Sequence, residues 1–260
     1  MQFEVVFTRK PELRSPVLIE GLPGIGHVGK IAARHMVREL RAKKFARLYS
    51  ATFPPHVIIK KTGMIEEMKN EFYYWKAESE GQRDLIFVIG NTQSTSPEGQ
   101  YLLCEKILDI AQEFGAREMF TLGGLGVGRA VDSPKVFGAV NHPRYIPILE
   151  ERGVVVKRDG VGQIIGVSGM LLSQGKRRGI YGACLMGETS GFYVDPNSAR
   201  AVLEVLTSIL GVEISMEKLV KRVKDAARRV EEAAKLERKM MEDMGIIRRE
   251  PTDDEMRYIG

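Results

Sequence analysis

Cysteine is almost absent, with Cys104 and Cys184 the only two in 260 residues. Each lies in an apolar segment without a second thiol or a histidine at ligand spacing, which argues against a disulfide framework and against a structural zinc site. The four histidines, His27, His35, His56 and His142, are scattered, and none has a metal-spaced partner. No apolar run approaches the roughly 20 residues that cross a bilayer, and the opening MQFEVVFTRKPEL lacks the basic-then-apolar order of a secretory signal. Zinc-finger spacings and aromatic-basic RNA-binding runs are also missing, so a net charge of +5 from 39 basic and 34 acidic residues does not point to nucleic acid. The expectation is a reduced, cytoplasmic protein with no cofactor, no metal, no nucleic-acid partner and no membrane.

What is present is enough apolar material, 43% of the chain, for one substantial core. Charged residues, 28% of the total and mostly Glu, Lys and Arg, lean toward a heat-adapted source. Strand-like apolar runs alternate with segments of helical period, the pattern of a mostly parallel α/β sheet flanked by helices. Buried strands are expected at Val17–Glu20, Asp84–Asn91, Glu118–Leu122 and Gly179–Met186, and helices at Val28–Leu40 and Pro97–Phe114. Between Arg47 and Ala77 short β-rich runs punctuated by Pro54, Pro55 and Gly63 predict an antiparallel meander. Asn141–Val156 reads as a loop, a short helix around Tyr145–Arg152 and a strand. Asp195 and Pro196 open a further helix as N-cap and first helical residue, and Gly211 closes it.

Residues 1–212 thus form an α/β core domain, 213–245 a long charged helix, and 246–260 a flexible tail. In the helix, expected over Ser215–Met244, Leu219, Val223, Ala226, Val230 and Ala233 recur every three or four residues among Lys, Arg, Glu and Asp. A seam this narrow can pack along its own domain, on a second copy or on another protein; a partner contact through Leu219, Val223 and Val230 is preferred, because a helix of this length gains most of its stability from packing.

The run Gly24-Ile25-Gly26-His27-Val28-Gly29-Lys30 satisfies two phosphate-binding spacings. As a dinucleotide fingerprint it lacks the acid expected about 20 residues on, and as a nucleotide-triphosphate loop it has Ile31 where a hydroxyl holds magnesium. A tight strand-to-helix turn explains the glycines without a ligand. An anion held by Gly24, Gly26, Gly29 and Lys30 stays open, as does a nucleotide- or nucleoside-binding enzyme using residues 24–29. A second run, Gly123–Arg129, has no helical period after it and is expected to be a mobile loop at the carboxyl edge of the sheet. Gly166-Val167-Ser168-Gly169-Met170 fails the nucleophile-elbow pattern at Met170. Glu188, Thr189, Ser190 and Asp195 follow a strand end, where catalytic carboxylates are often found, although helix capping explains Asp195.

Taken in order, Leu18-Ile19-Glu20-Gly21-Leu22-Pro23-Gly24-Ile25-Gly26 with Val28-Gly29, Gly166-Val167-Ser168-Gly169-Met170-Leu171-Leu172, and Leu185-Met186-Gly187-Glu188-Thr189 with Asp195-Pro196 resemble the proteasome assembly chaperone family, in particular its archaeal homologues of the Pba type. The resemblance covers about residues 1–215. It implies a fold related to purine nucleoside phosphorylases but without catalysis, and a homo-oligomer, with a pentameric ring among the arrangements, that binds proteasome subunits or a related paralogue. In that family a C-terminal hydrophobic-tyrosine-any residue tail enters pockets between proteasome α subunits. Here Tyr258, Ile259 and Gly260 depart from it, because Ile259 takes the tyrosine's place and Tyr258 stands one residue early. That displacement is about 3.3 Å of extended chain, so the tail is expected to be a secondary contact.

Overall fold

A computed structural model of the chain describes residues 3–156, 162–219 and 221. Met1–Leu219 form one compact unit and Val220–Gly260 a second. Apart from Lys221, the second unit lies outside the described residues, and with it most of the expected long helix, the tail, and Val223, Val230, Tyr258, Ile259 and Gly260.

The strands are β1 (Phe3–Phe7), β2 (Val17–Gly21), β3 (Lys43–Ser50), β4 (Val57–Ile59), β5 (Ile65–Glu67), β6 (Asn70–Trp75), β7 (Leu85–Gly90), β8 (Glu118–Gly126), β9 (Val136–Val140) and β10 (Tyr181–Thr189). The helices are α1 (Val28–Glu39), α2 (Pro97–Glu113), α3 (Tyr145–Glu150), α4 (Val167–Arg177) and α5 (Pro196–Leu210). Among the described residues eight strands make one sheet in the order β1-β3-β6-β7-β2-β8-β10-β9, while β4 and β5 pair only with each other. The centre, β7-β2-β8-β10, is parallel. Antiparallel strands extend it on both sides, through β6, β3 and β1 at one end and β9 at the other.

Central strands read as unbroken apolar runs because both faces are covered. Leu18 of β2, Ile86 and Val88 of β7, Met119 of β8, and Cys184 and Met186 of β10 join Leu103, Ile107, Val167 and Leu171 of α2 and α4 in one buried cluster. Residues of opposite parity, among them Ile19, Phe87, Phe120 and Leu185, are equally buried, as are Ala32 and Met36 of α1 and Val202 and Leu206 of α5. Helices α1 and α5 pack on each other, and so do α2 and α4. Neither cysteine is in a disulfide, and both are buried.

The structure differs from the expectation in several places, among them β1, an additional edge strand, and the end of Asn141–Val156, where the expected strand is a single bridge from Val155 to Phe137. The glycine run after Leu122 is not a loop: β8 continues to Gly126, with Gly123–Gly126 paired to Met186–Thr189 of β10. Backbone pairing on a neighbouring strand holds these residues in place whatever their side chains offer. Strand β9 and helix α4 are additional elements. Gly138 interrupts the first, and two glycines lower the helical propensity of the second.

The caps are as read. Ser198 N–H donates to Asp195 Oδ1 at 2.9 Å and its hydroxyl to Oδ2 at 2.7 Å, and Gly211 ends α5 in the left-handed conformation at φ 63°. Losing this cap orphans a helix N–H, so Asp195→Ala is expected to cost about 1 kcal/mol. In a domain of this size that is a fall of about 2–4 °C in melting temperature, readable by calorimetry.

Candidate functional site

Chain segments that are distant in sequence meet at the carboxyl ends of the parallel strands, the edge at which open α/β sheets usually bind ligands. There β2 ends at Gly21, and the chain turns through a short 3-10 segment, Ile25–His27, into α1. This turn contains the phosphate-like spacing, and its glycines have separate tasks. A Cβ on Gly29 would lie 2.0 Å from the Leu122 carbonyl oxygen, so glycine lets α1 rest directly on β8. Gly26 adopts φ 60° beside Thr189. Gly24 is extended, and a Cβ there would meet nothing within 4 Å. Lys30, partly buried on α1, has its pKa lowered by burial and by the nearby Arg34.

Beneath the turn, Glu20 is wholly buried at the point where β2 and β8 part, since their pairing ends at Glu20 and Thr121. Its carboxyl accepts the Leu22 N–H at 2.7 Å on Oε1 and the Ser168 hydroxyl at 2.8 Å on Oε2, and the Leu122 backbone adds a further hydrogen bond. Burial outweighs these bonds and pushes the pKa up to about 7. The Glu20–Ser168 bond spans 148 residues and joins two of the segments singled out in the sequence.

A second clamp reinforces the first. Gln93, just past the end of β7, donates from Nε2 to the Pro23 carbonyl at 2.6 Å and accepts the Val167 N–H on Oε1 at 3.2 Å. It therefore holds the glycine turn against the start of α4, which Gly166 enters at φ 90°. Further along the edge, Arg129 pairs with Glu188 at 2.9 Å. That contact gives the Glu188 carboxylate a structural partner. Ser168 is the second residue of α4 and bonds to Glu20, so Gly166–Met170 is a helix start.

Of the residues read as partner-binding, only Leu219 is described, and it is buried at 2% exposure. Gly24, Gly26 and Gly29 lie on one turn but face different surroundings. Glu20 and Gln93 were not picked out as site residues in the sequence; no local pattern marks a buried carboxyl whose partner is 148 residues away. Among the described residues, no group of three or more His, Cys, Asp and Glu side chains is placed to hold a metal. No helix among them is long and apolar enough to cross a membrane.

Known proteins carry the same architecture. An uncharacterized protein of Methanocaldococcus jannaschii is 42% identical over 265 residues, the full length of both chains. The crystal structure of PbaB from Pyrococcus furiosus, an archaeal proteasome activator, superimposes with a TM-score of 0.83 at 43% identity, covering 90% of this chain and 99% of that one. PbaA from the same organism, an archaeal homolog of proteasome-assembly chaperone, gives a TM-score of 0.72 at 29% identity, covering 94% and 98%. The model of the PAC2 family matches residues 18–234, a span that takes in the glycine turn, the Glu20–Ser168 bond and the Asp195 cap, and the chain belongs to that family.

Proposed function

We propose that this chain is a non-catalytic assembly factor of the cytoplasm that works as a homo-oligomer and binds proteasome subunits or a related partner. The observation that carries the reading is the likeness to PbaB over nearly the whole of that chain, at an identity well above the level where only a fold is shared. The glycine turn favours it over a nucleotide-triphosphate enzyme. Gly29, whose backbone would face phosphate in such a loop, packs α1 against the Leu122 carbonyl; the dinucleotide pattern uses its third glycine for the same packing and is weakened by the missing acid instead.

The partner surface in this proposal is the seam of Leu219, Val223 and Val230, with Tyr258, Ile259 and Gly260 as a secondary contact. Native mass spectrometry of the full chain, alone and with purified archaeal proteasome α subunits, tests both parts. A defined oligomer, a ring of five among the candidates, and a complex with the subunits are expected. Changing Val223 and Val230 together to Asp places uncompensated charge in the seam and is expected to dissociate the oligomer. An unchanged mass removes the seam from the proposal, and a chain that ignores every subunit offered removes the partner.

A further inference from the structure

The cavity beside the Glu20–Ser168 bond has no role in the assembly reading. It holds about 470 Å³, within the range of small-molecule sites, and it opens at the carboxyl edge between the glycine turn and α4. Its walls are largely apolar, with Leu22, Ile25, Leu122, Ile164 and Met186 prominent. Polar character comes from Ser168 and from the glutamines Gln93, Gln100 and Gln163.

Apart from Gly166, which needs glycine for its φ of 90°, the glycines around this space separate into two groups. At Gly21, Gly29 and Gly124 a Cβ would strike protein backbone at 2.4 Å or less, so packing alone explains them. At Gly24 a Cβ would meet nothing within 4 Å, and at Gly123 only Met186 Cγ, at 3.8 Å. Neither backbone is left-handed. Internal contacts therefore do not demand glycine at these two positions, both of which line the cavity. They leave room that a side chain would otherwise fill.

The polar groups define what could occupy that room. Among the described lining residues none is Lys, Arg or His, so these residues offer no countercharge to a phosphate or a carboxylate. Gln93 is committed to Pro23 and Val167, whereas the Gln100 side-chain oxygen is buried without a hydrogen-bond partner among the described residues. The Ser168 hydroxyl gives its proton to Glu20 and keeps lone pairs to offer. The unused capacity is thus that of an acceptor, set among apolar walls and the sulfur of Met186, which suits a ring.

We propose that this cavity binds a small uncharged ligand with an apolar, ring-sized body and N–H or O–H donors, and that Gly24 and Gly123 keep the cavity open for it. The proposal uses none of the residues assigned to the partner contact and stands or falls separately.

The test uses the full chain and a pair of probes that share one body, indole-3-acetamide and indole-3-acetate, with binding read by calorimetry and by two-dimensional NMR. The amide is expected to bind at least tenfold more tightly than the carboxylate and to shift resonances of Ser168 and Gly123. Gly123→Leu fills the space from the β8 side and is expected to abolish the shifts while leaving the circular dichroism spectrum unchanged. Gly24→Leu fills it from the turn and serves if the first variant does not fold. No binding of the amide at millimolar concentration, equal binding of both probes, or binding that persists in a folded, filled variant overturns the proposal.

Discussion

Gly29→Ala is expected to destabilise the protein by about 3 kcal/mol or more, the upper range for forcing a group into a packed interior. The sign is informative, because alanine ordinarily favours a helix over glycine by up to about 1 kcal/mol. Here the new methyl would sit 2.0 Å from the Leu122 carbonyl oxygen and 3.3 Å from the Gly123 nitrogen, both backbone atoms of a central strand. Neither can move without disturbing the pairing of β8 with β10, so α1 has to lift from the sheet. At Gly24, five residues earlier, a Cβ meets nothing, and Gly24→Ala is expected to change stability by less than about 0.5 kcal/mol. Urea denaturation of the two variants beside the parent measures both. Equal stability of all three would mean that the turn is not packed as described, and would reopen the phosphate-loop reading.

The second large effect concerns pH. An acid whose pKa is higher in the folded than in the unfolded state keeps its proton on folding, so the unfolded chain binds fewer protons and stability falls as pH rises. For Glu20, raised from 4.5 to about 7, the loss begins near the unfolded value and is complete above the folded one. At about 1.4 kcal/mol per pH unit of displacement, the full cost is on the order of 3 to 4 kcal/mol. The group is fully buried, so solvent screening does not remove this cost. Glu20→Gln keeps an oxygen to accept the Leu22 N–H and cannot ionise. Relative to the parent, its stability is expected to rise by most of that amount between pH 5 and pH 8, since the other titrating groups are common to both proteins. Denaturation midpoints at four pH values across the window decide the matter, and parallel curves for the two proteins would show that Glu20 titrates normally.

Much of the fold was legible in the sequence because its signals are local. The runs at Val17, Leu85 and Tyr181 are apolar on both faces, and Pro97 and Pro196 each stand one place after a capping side chain, Ser96 and Asp195. The elements that escaped reading have causes that are not local. Helix α4 contains Gly169 and Gly175, which argue against a helix in isolation. A Cβ on Gly175 would come 2.1 Å from Met119 Cε, and one on Gly169 2.7 Å from the Ile164 carbonyl, so tertiary contact overrides propensity. Strand β1 is a short edge strand with alternating, partial burial, and pairs only with β3. The site was half visible. Its glycine turn stood out as a motif, but reading Glu20 and Gln93 as its clamps required knowing that β2 and β7 end beside the start of α4.

The strand order has a consequence for synthesis. Strand β2 emerges early, yet its partners are β7 and β8, and the parallel centre is complete only when β10 arrives at Thr189. Until then a growing chain carries an unsatisfied, strongly apolar parallel edge, the kind of surface on which neighbouring nascent chains can pair wrongly. The whole span from Val17 to Thr189 must leave the ribosome before that hazard closes, which makes the interval of translation between Leu85 and Thr189 the one in which this protein itself most needs protection.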